Sequence, residues 1–149
     1  MMENIRELFQ VMTRRFGLLN KNCCQIGDTE ISLVQSHILY EILRKDRPSM
    51  QQVADTLGMD ITTFSRQIQT LVKMELVVKS PLPDDRRVSV LSLTTQGNYV
   101  AAKIDAEMNQ YLNEVFSNMS VFERDMVIKS VKLLNEAMSK STVCCKPLS

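Results

Sequence analysis

Residues 49 to 74 hold two helix-length segments separated by only three residues, Gly58-Met59-Asp60, and this spacing constrains the fold more than any other feature of the chain. Ser49-Met50-Gln51-Gln52 matches a capping box, in which the hydroxyl accepts from a backbone amide and Gln52 reaches back. The helix so opened runs to Leu57, and Gly58 supplies a residue that tolerates the left-handed conformation ending it. Asp60 caps a second helix, running to about Met74, that turns Phe64, Ile68, Leu71 and Val72 inward. Two short helices across so brief a turn make a helix-turn-helix.

The flanking segments extend this unit on both sides. Upstream, Ile5, Leu8, Phe9, Met12, Phe16 and Leu19 recur at steps of three and four, which predicts a helix over about residues 3 to 22. Gln25 to Glu30, with Gly27 and Asp28, reads as a loop. A helix from about Leu33 to Arg44 follows, with Ser32 as its N-cap and Ile38, Leu39, Ile42 and Leu43 facing inward; Pro48 stops it. Downstream, Leu76-Val77-Val78-Lys79 and Val88-Ser89-Val90-Leu91-Ser92-Leu93 are β-prone, and the polar stretch Ser80 to Arg87 between them predicts a hairpin with a basic tip. Val100, Ile104, Met108, Tyr111, Leu112 and Val115 mark a helix starting after a Thr94-Thr95 cap. Ser120-Val121-Phe122-Glu123 opens a last helix through Val127, Val131, Leu134 and Met138.

The predicted order is therefore α-α-α-α-β-β-α-α: mainly α, with a small β-hairpin wing. We read residues 1–149 as a single domain, with 33–95 as the winged helix-turn-helix, 1–22 and 96–141 as dimerisation helices, and 142–149 as a tail. The chain shows no signal-peptide pattern and no apolar run near the roughly 20 residues that span a bilayer, so a cytoplasmic protein without a membrane partner is expected. A net charge of +1 neither supports nor excludes nucleic acid, because a DNA binder needs its positive charge localised rather than large in total.

The chemistry exposed by the second helix of the motif points to DNA. With Phe64 and Ile68 inward, Thr62, Thr63, Ser65, Arg66 and Gln69 lie on or near the outward face. Arg suits guanine bidentately, Gln suits adenine, and hydroxyls and methyls suit several positions. The N-terminus of that helix also favours a phosphate. Arg86 and Arg87 suit a narrow minor groove, with a neighbouring carboxylate orienting one of them. The plainer alternative is that Asp84-Asp85-Arg86-Arg87 is a solvated turn with ion pairs worth little.

The run from Ser49 to Gly97 resembles the MarR family of bacterial regulators. The matching pieces are Gln52-Val53-Ala54-Asp55-Thr56-Leu57-Gly58, Thr62-Thr63-Phe64-Ser65-Arg66, Asp84-Asp85-Arg86-Arg87 and Leu93-Thr94-Thr95-Gln96-Gly97. The family pattern commonly has Gly where this chain has Glu75, which bears on where the preceding helix ends. The resemblance implies a winged helix-turn-helix in which Thr62, Thr63, Ser65, Arg66 and Gln69 face the major groove of double-stranded DNA; Ser49 is a further DNA-binding candidate. The resemblance also implies that Arg87, braced by Asp85 and beside Arg86, enters the minor groove. It further implies N- and C-terminal helices that intertwine across a homodimer axis, and a cleft between dimer helices and wing for a small aromatic effector. The apolar stripes at both chain ends agree with a dimer, since some 50 residues of helix-turn-helix would not cover both; an intramolecular helical bundle is the alternative.

Four cysteines form two adjacent pairs, Cys23-Cys24 near the end of the first predicted helix and Cys144-Cys145 near the end of the last. Three readings stand open: a thiolate that oxidises to a disulfide and reorients the DNA-reading heads, capture of a thiophilic metal or metalloid, and incidental thiols. Structural zinc fits poorly, because its knuckles space cysteines by two to four residues. The single histidine, His37, is expected at a helix surface or interface, and the methionines on apolar stripes are expected in the core. No Cys-x-x-Cys, Ser/His/Asp set or Gly-rich phosphate loop appears, so neither an enzyme nor a cofactor is expected. The reading is a transcription regulator, most simply a repressor, on a near-palindromic operator; a winged-helix module that binds protein instead of DNA is the rival.

Overall fold

The computed structural model describes residues 4–16 and 22–141, with side chains in the second stretch described from residue 26 onward. Six helices appear in the expected order: α1 (Ile5–Arg15), α2 (Leu33–Arg44), α3 (Met50–Thr56), α4 (Ile61–Lys73), α5 (Thr95–Ser117) and α6 (Val121–Ser139). Two antiparallel hairpins accompany them, β1 (Asn22–Ile26) with β2 (Thr29–Ser32) and β3 (Val77–Leu82) with β4 (Asp85–Leu93). Among the described residues no helix is long and apolar enough to cross a membrane.

Local chemistry sets most of the helix starts. Ser32, Ser49 and Ser120 each close a full capping box with the residue three positions on, Gln35, Gln52 and Glu123. At Ser49 the hydroxyl accepts from the Gln52 amide at 3.1 Å, and the Ser49 amide donates to Gln52 Oε1 at 2.8 Å. Two otherwise orphaned N–H donors are thus satisfied at each start.

The ends of α3 and α4 are the same Schellman motif built on different residues. After α3, Gly58 (φ 64°) donates to the Asp55 carbonyl and Met59 to that of Ala54. After α4, Glu75 (φ 61°) donates to the Val72 carbonyl and Leu76 to that of Leu71. Where the family pattern has Gly, this chain therefore holds a glutamate in the left-handed region, and α4 ends on schedule.

The core lies where α2, α3, α4, the second hairpin and the start of α5 meet. Phe64, Ile38, Leu39, Ile68, Leu71, Leu76, Leu91, Val53 and Val100 are fully buried there. Gly97 lets α5 begin against the end of α4, because a β-carbon at that position would collide with the Leu76 carbonyl. The Leu91 amide donates to the Pro48 carbonyl at 2.8 Å and Ser49 bridges Val90, so the N-cap of α3 is tied to the wing.

Several expectations need correction. The helix expected over residues 3–22 ends at Arg15 with Phe16 as its cap, and Asn22 already lies in a strand. The expected loop from Gln25 to Glu30 is a tight hairpin: Gly27 (φ 61°) and Asp28 make the turn, and Ile26 and Ile31 anchor the strands in the core. Cys23-Cys24 thus belongs to β1, at a shift in the strand register, rather than to a helix end; Cys144-Cys145 and the tail 142–149 lie outside the described residues.

The second hairpin is longer than predicted. Its strands absorb Ser80-Pro81 and Asp85-Arg86-Arg87, so both arginines open β4. Pro81 is compatible with this two-stranded edge because its missing N–H costs no central ladder bond. Leu43 and Val72, expected inward, are about 40% exposed, at 41% and 40%, since both sit at the margin of their stripes. None of the described methionines reaches the buried core: Met50, Met59 and Met74 pack at its edge, while Met12, Met126 and Met138 are exposed.

Candidate nucleic-acid interface

α4 divides into two faces. Phe64, Ile68 and Leu71 are buried, at 1% exposure or less, whereas Thr62, Thr63, Arg66 and Gln69 are exposed and Ser65 is half-buried at the margin. Both the burial and the helical period place those five side chains on a solvent-facing stripe of hydroxyl, guanidinium and amide groups. The helix is held at its start by Asp60, whose Oδ2 accepts from the Thr63 amide at 3.2 Å. That carboxylate occupies the helix N-terminus, where the sequence favoured a phosphate.

Ser49 is half-buried, and its hydroxyl oxygen is engaged in the α3 capping box while its backbone pairs with Val90. Its position links α3 to the wing. On the wing itself the Asp-Asp-Arg-Arg run carries an exposed ion pair, which both the orienting-carboxylate reading and the solvated-turn reading allow. Asp85 Oδ1 accepts from the Arg87 amide at 3.1 Å and from Arg87 Nε at 3.1 Å, and Oδ2 lies 3.4 Å from Nη2. The same contacts hold the Asp85 carboxyl below its ordinary range, the Arg87 side chain contributing most and the Arg87 backbone next. Arg87 keeps 92% of its side chain exposed, so the fork is oriented yet free to meet a partner. Arg86 is exposed beside it.

Between α4 and β3 runs a groove lined by Ser65, Gln69, Lys73 and Lys79. The two lysines add positive charge next to the stripe, and sequence reasoning passed over both. Lys73 follows Arg66 and Gln69 at helical steps of three and four, which is the signal that could have found it. Lys79 lies in a strand, and only the tertiary contact brings it near.

A second concavity, of about 390 Å³, lies between α1, α2 and α5 and has no wing residue in its wall. His37 lines it from the exposed side of α2. Its rim is set where Phe16 meets Tyr111 edge-on at 6.3 Å and the Tyr111 hydroxyl donates to the Arg15 carbonyl. Among the described residues no group of three or more His, Cys, Asp or Glu could hold a metal ion.

The family model described as the MarR family matches residues 31–89. YxaD of Bacillus subtilis (strain 168), named an uncharacterized HTH-type transcriptional regulator, is 26% identical over 125 residues, 83% of this chain and 85% of its own. Among solved structures, FabT of Streptococcus pneumoniae in complex with DNA superposes with a TM-score of 0.79 at 18% identity, covering 91% of this chain and 95% of FabT. A mutant MarR from E. coli gives 0.72 at 21% identity, covering 90% and 97%. These structural likenesses establish the winged helix-turn-helix fold.

Proposed function

We propose that the protein is a repressor of the MarR family, whose model matches residues 31–89, and that it binds a near-palindromic operator as a homodimer. The observation that carries this reading is the solvent-facing row Thr62, Thr63, Arg66 and Gln69 on α4, flanked by a wing arginine already held in place by Asp85. Arg66 and Gln69 are suited to read base edges in the major groove, and Arg87 to enter the minor groove with Arg86 beside it. Lys73 and Lys79 neutralise phosphates at the side of the same groove. FabT, which shares the fold, has been solved with DNA bound. This supports the DNA reading over a protein-binding winged helix.

The apolar faces of α1 and α6 support the dimer. Neither helix buries a residue within the chain, and Ile5, Leu8, Val121, Phe122 and Leu133 are more than half exposed. Exposed apolar side chains in that number mark a protein interface. A two-fold copy covers it with the same patch, and brings two reading heads, residues 33–95, to major grooves roughly 34–36 Å apart.

A mobility shift on the DNA upstream of its own gene tests the reading. Affinity falls steeply with salt, because phosphate contacts release counterions. Arg66→Ala lowers site-specific affinity by about 1–3 kcal/mol and leaves non-specific binding nearly unchanged. Lys73→Ala and Lys79→Ala weaken all sequences alike and reduce the salt slope by about one each. Absence of any site preference in the purified dimer refutes the proposal.

Release from DNA has two candidate triggers. A small ligand in the cavity between α1, α2 and α5 is favoured by the cavity itself. Oxidation or a thiophilic ion at Cys23, Cys24, Cys144 and Cys145 is the other. The same shift run reduced, with diamide and with arsenite tests it directly.

A further inference from the structure

The end of α4 and the start of α5 are joined through one residue, Thr94. Its amide donates to the Leu76 carbonyl at 3.1 Å. Its hydroxyl accepts from the Gly97 amide at 2.9 Å, which caps α5. The same hydroxyl donates to the Glu75 carbonyl at 2.6 Å, 19 positions back in the chain. A threonine hydroxyl has a single proton to donate, and here it goes to the turn that ends α4. Gly97 closes the joint from the other side, since its missing β-carbon leaves room for the Leu76 carbonyl. Leu93, the preceding residue, pairs with Val77 at the base of the wing, so α4, the wing and α5 converge at this point.

Two kinds of force hold α5 to the core. Val100, Ala101 and Ile104 bury their side chains in it, but apolar burial is non-directional and leaves the angle of the helix loosely set. Hydrogen bonds weaken steeply as their angles open, so the bonds at Thr94 resist rotation of α4 against α5. The lever is long. With 13 residues, α4 measures about 20 Å from end to end. A turn of about 10° at its C-terminal end moves its N-terminal end by about 3.5 Å, close to the roughly 3.4 Å between successive phosphates of one strand. On the other side of the joint, α5 leads to α6, whose apolar face the chain leaves uncovered. Thr94 thus stands between the helix that faces DNA and the helices offered to a second copy.

We propose that Thr94 is a positioning residue for DNA recognition: the bond from its hydroxyl to Glu75 fixes the angle between α4 and α5, and through it the half-site spacing that the dimer accepts. That role presupposes the dimeric operator-binding regulator described above. The cap and the tether can be separated chemically. Serine keeps both. Aspartate keeps an acceptor that caps α5 but, ionised, has no proton to donate to Glu75. Valine keeps the shape and loses both.

Mobility shifts compare the full chain with Thr94→Ser, Thr94→Asp and Thr94→Val on the operator upstream of its gene, and on copies with one base pair inserted or removed at the centre. Wild type and Thr94→Ser prefer the native spacing by about tenfold or more, the scale of one mismatched base pair. Thr94→Asp and Thr94→Val lower that preference to about threefold or less, while all four bind unrelated DNA alike. Thermal unfolding distinguishes tether from cap, because Thr94→Asp melts with the wild type and Thr94→Val below it. Should Thr94→Val fail to fold by circular dichroism, the serine and aspartate variants carry the comparison. Amide exchange reads the joint without DNA: in Thr94→Asp the protection of the residue 94 amide falls about fivefold or more, while the Gly97 amide stays protected. Wild-type spacing preference in Thr94→Asp overturns the proposal, as does its loss in Thr94→Ser or unchanged protection at residue 94. If the wild type prefers no site at all, the regulator reading fails instead, and the exchange result still decides whether this bond holds the joint.

Discussion

Replacing Glu75 by glycine should stabilise this protein, and the structure contains its own control. Gly58 and Glu75 occupy equivalent positions in two Schellman motifs, with φ of 64° and 61°. Their hydrogen bonds match as well: 3.1 and 2.9 Å after α3, 2.9 and 3.0 Å after α4. Both ends of the motif after α4 are packed, Leu71 and Leu76 being buried at 0% and 1% exposure, so the backbone there cannot relax out of the left-handed region. An L-residue in that region costs about 1–2 kcal/mol. Glycine removes this and returns about 0.5–1 kcal/mol through its larger unfolded-state entropy. The net gain lies between about 0 and 1.5 kcal/mol, centred near 0.75.

Glu75 is exposed, and its side chain has no role in that sum except its charge. Glu75→Gln isolates the charge, since it retains the strain. Urea unfolding at fixed protein concentration reads the difference, with the m-value unchanged. We expect Glu75→Gly to unfold at higher urea than both Glu75→Gln and wild type, and Gly58→Ala to unfold at lower urea. A glycine variant no more stable than the glutamine variant refutes the reasoning, because strain would then not be stored at this turn.

Four further outcomes follow from the geometry. Asp85→Ala frees Arg87 and weakens DNA binding severalfold in the mobility shift, even though it removes a negative charge from the wing. Because the Asp85 carboxyl is held below its ordinary range, its grip on Arg87 is complete above the unfolded value and is lost only as pH falls through the folded one. This group therefore contributes no pH dependence to DNA affinity between about pH 5 and 8, and titrations of binding over that range check it. Gly97→Ala drives a methyl group into the Leu76 carbonyl and costs about 3 kcal/mol by thermal or urea unfolding. Phe122→Asp combined with Leu133→Asp, both on the exposed face of α6, halves the mass measured by light scattering without loss of helix content.

The elements that could be read from the chain are those whose causes are local. Two serine capping boxes, the Ser32 N-cap, the Gly58 stop and the Asp60 cap each involve residues within four positions, so the residue types announce them; that Gln35 completes a third box at Ser32 came from the structure. The Asp85–Arg87 clasp also spans only two residues, but the residue types alone left it open against a solvated turn, and only the family resemblance named this pair. The polar stripe on α4 followed from helical period alone, since Phe64 and Ile68 leave Thr62, Arg66 and Gln69 only the outer face.

What the chain did not disclose depends on contacts between distant segments. The first hairpin exists because Ile26 and Ile31 find the core, and a Gly27-Asp28 turn reads as a loop until something covers its flanks. Period shows that α1 and α6 have apolar stripes but not that the chain itself leaves them uncovered. Likewise Thr94 announces itself as a helix cap. Only the approach of α5 to the end of α4 brings its hydroxyl to the Glu75 carbonyl, 19 positions away, and turns a cap into a joint between two parts of the molecule.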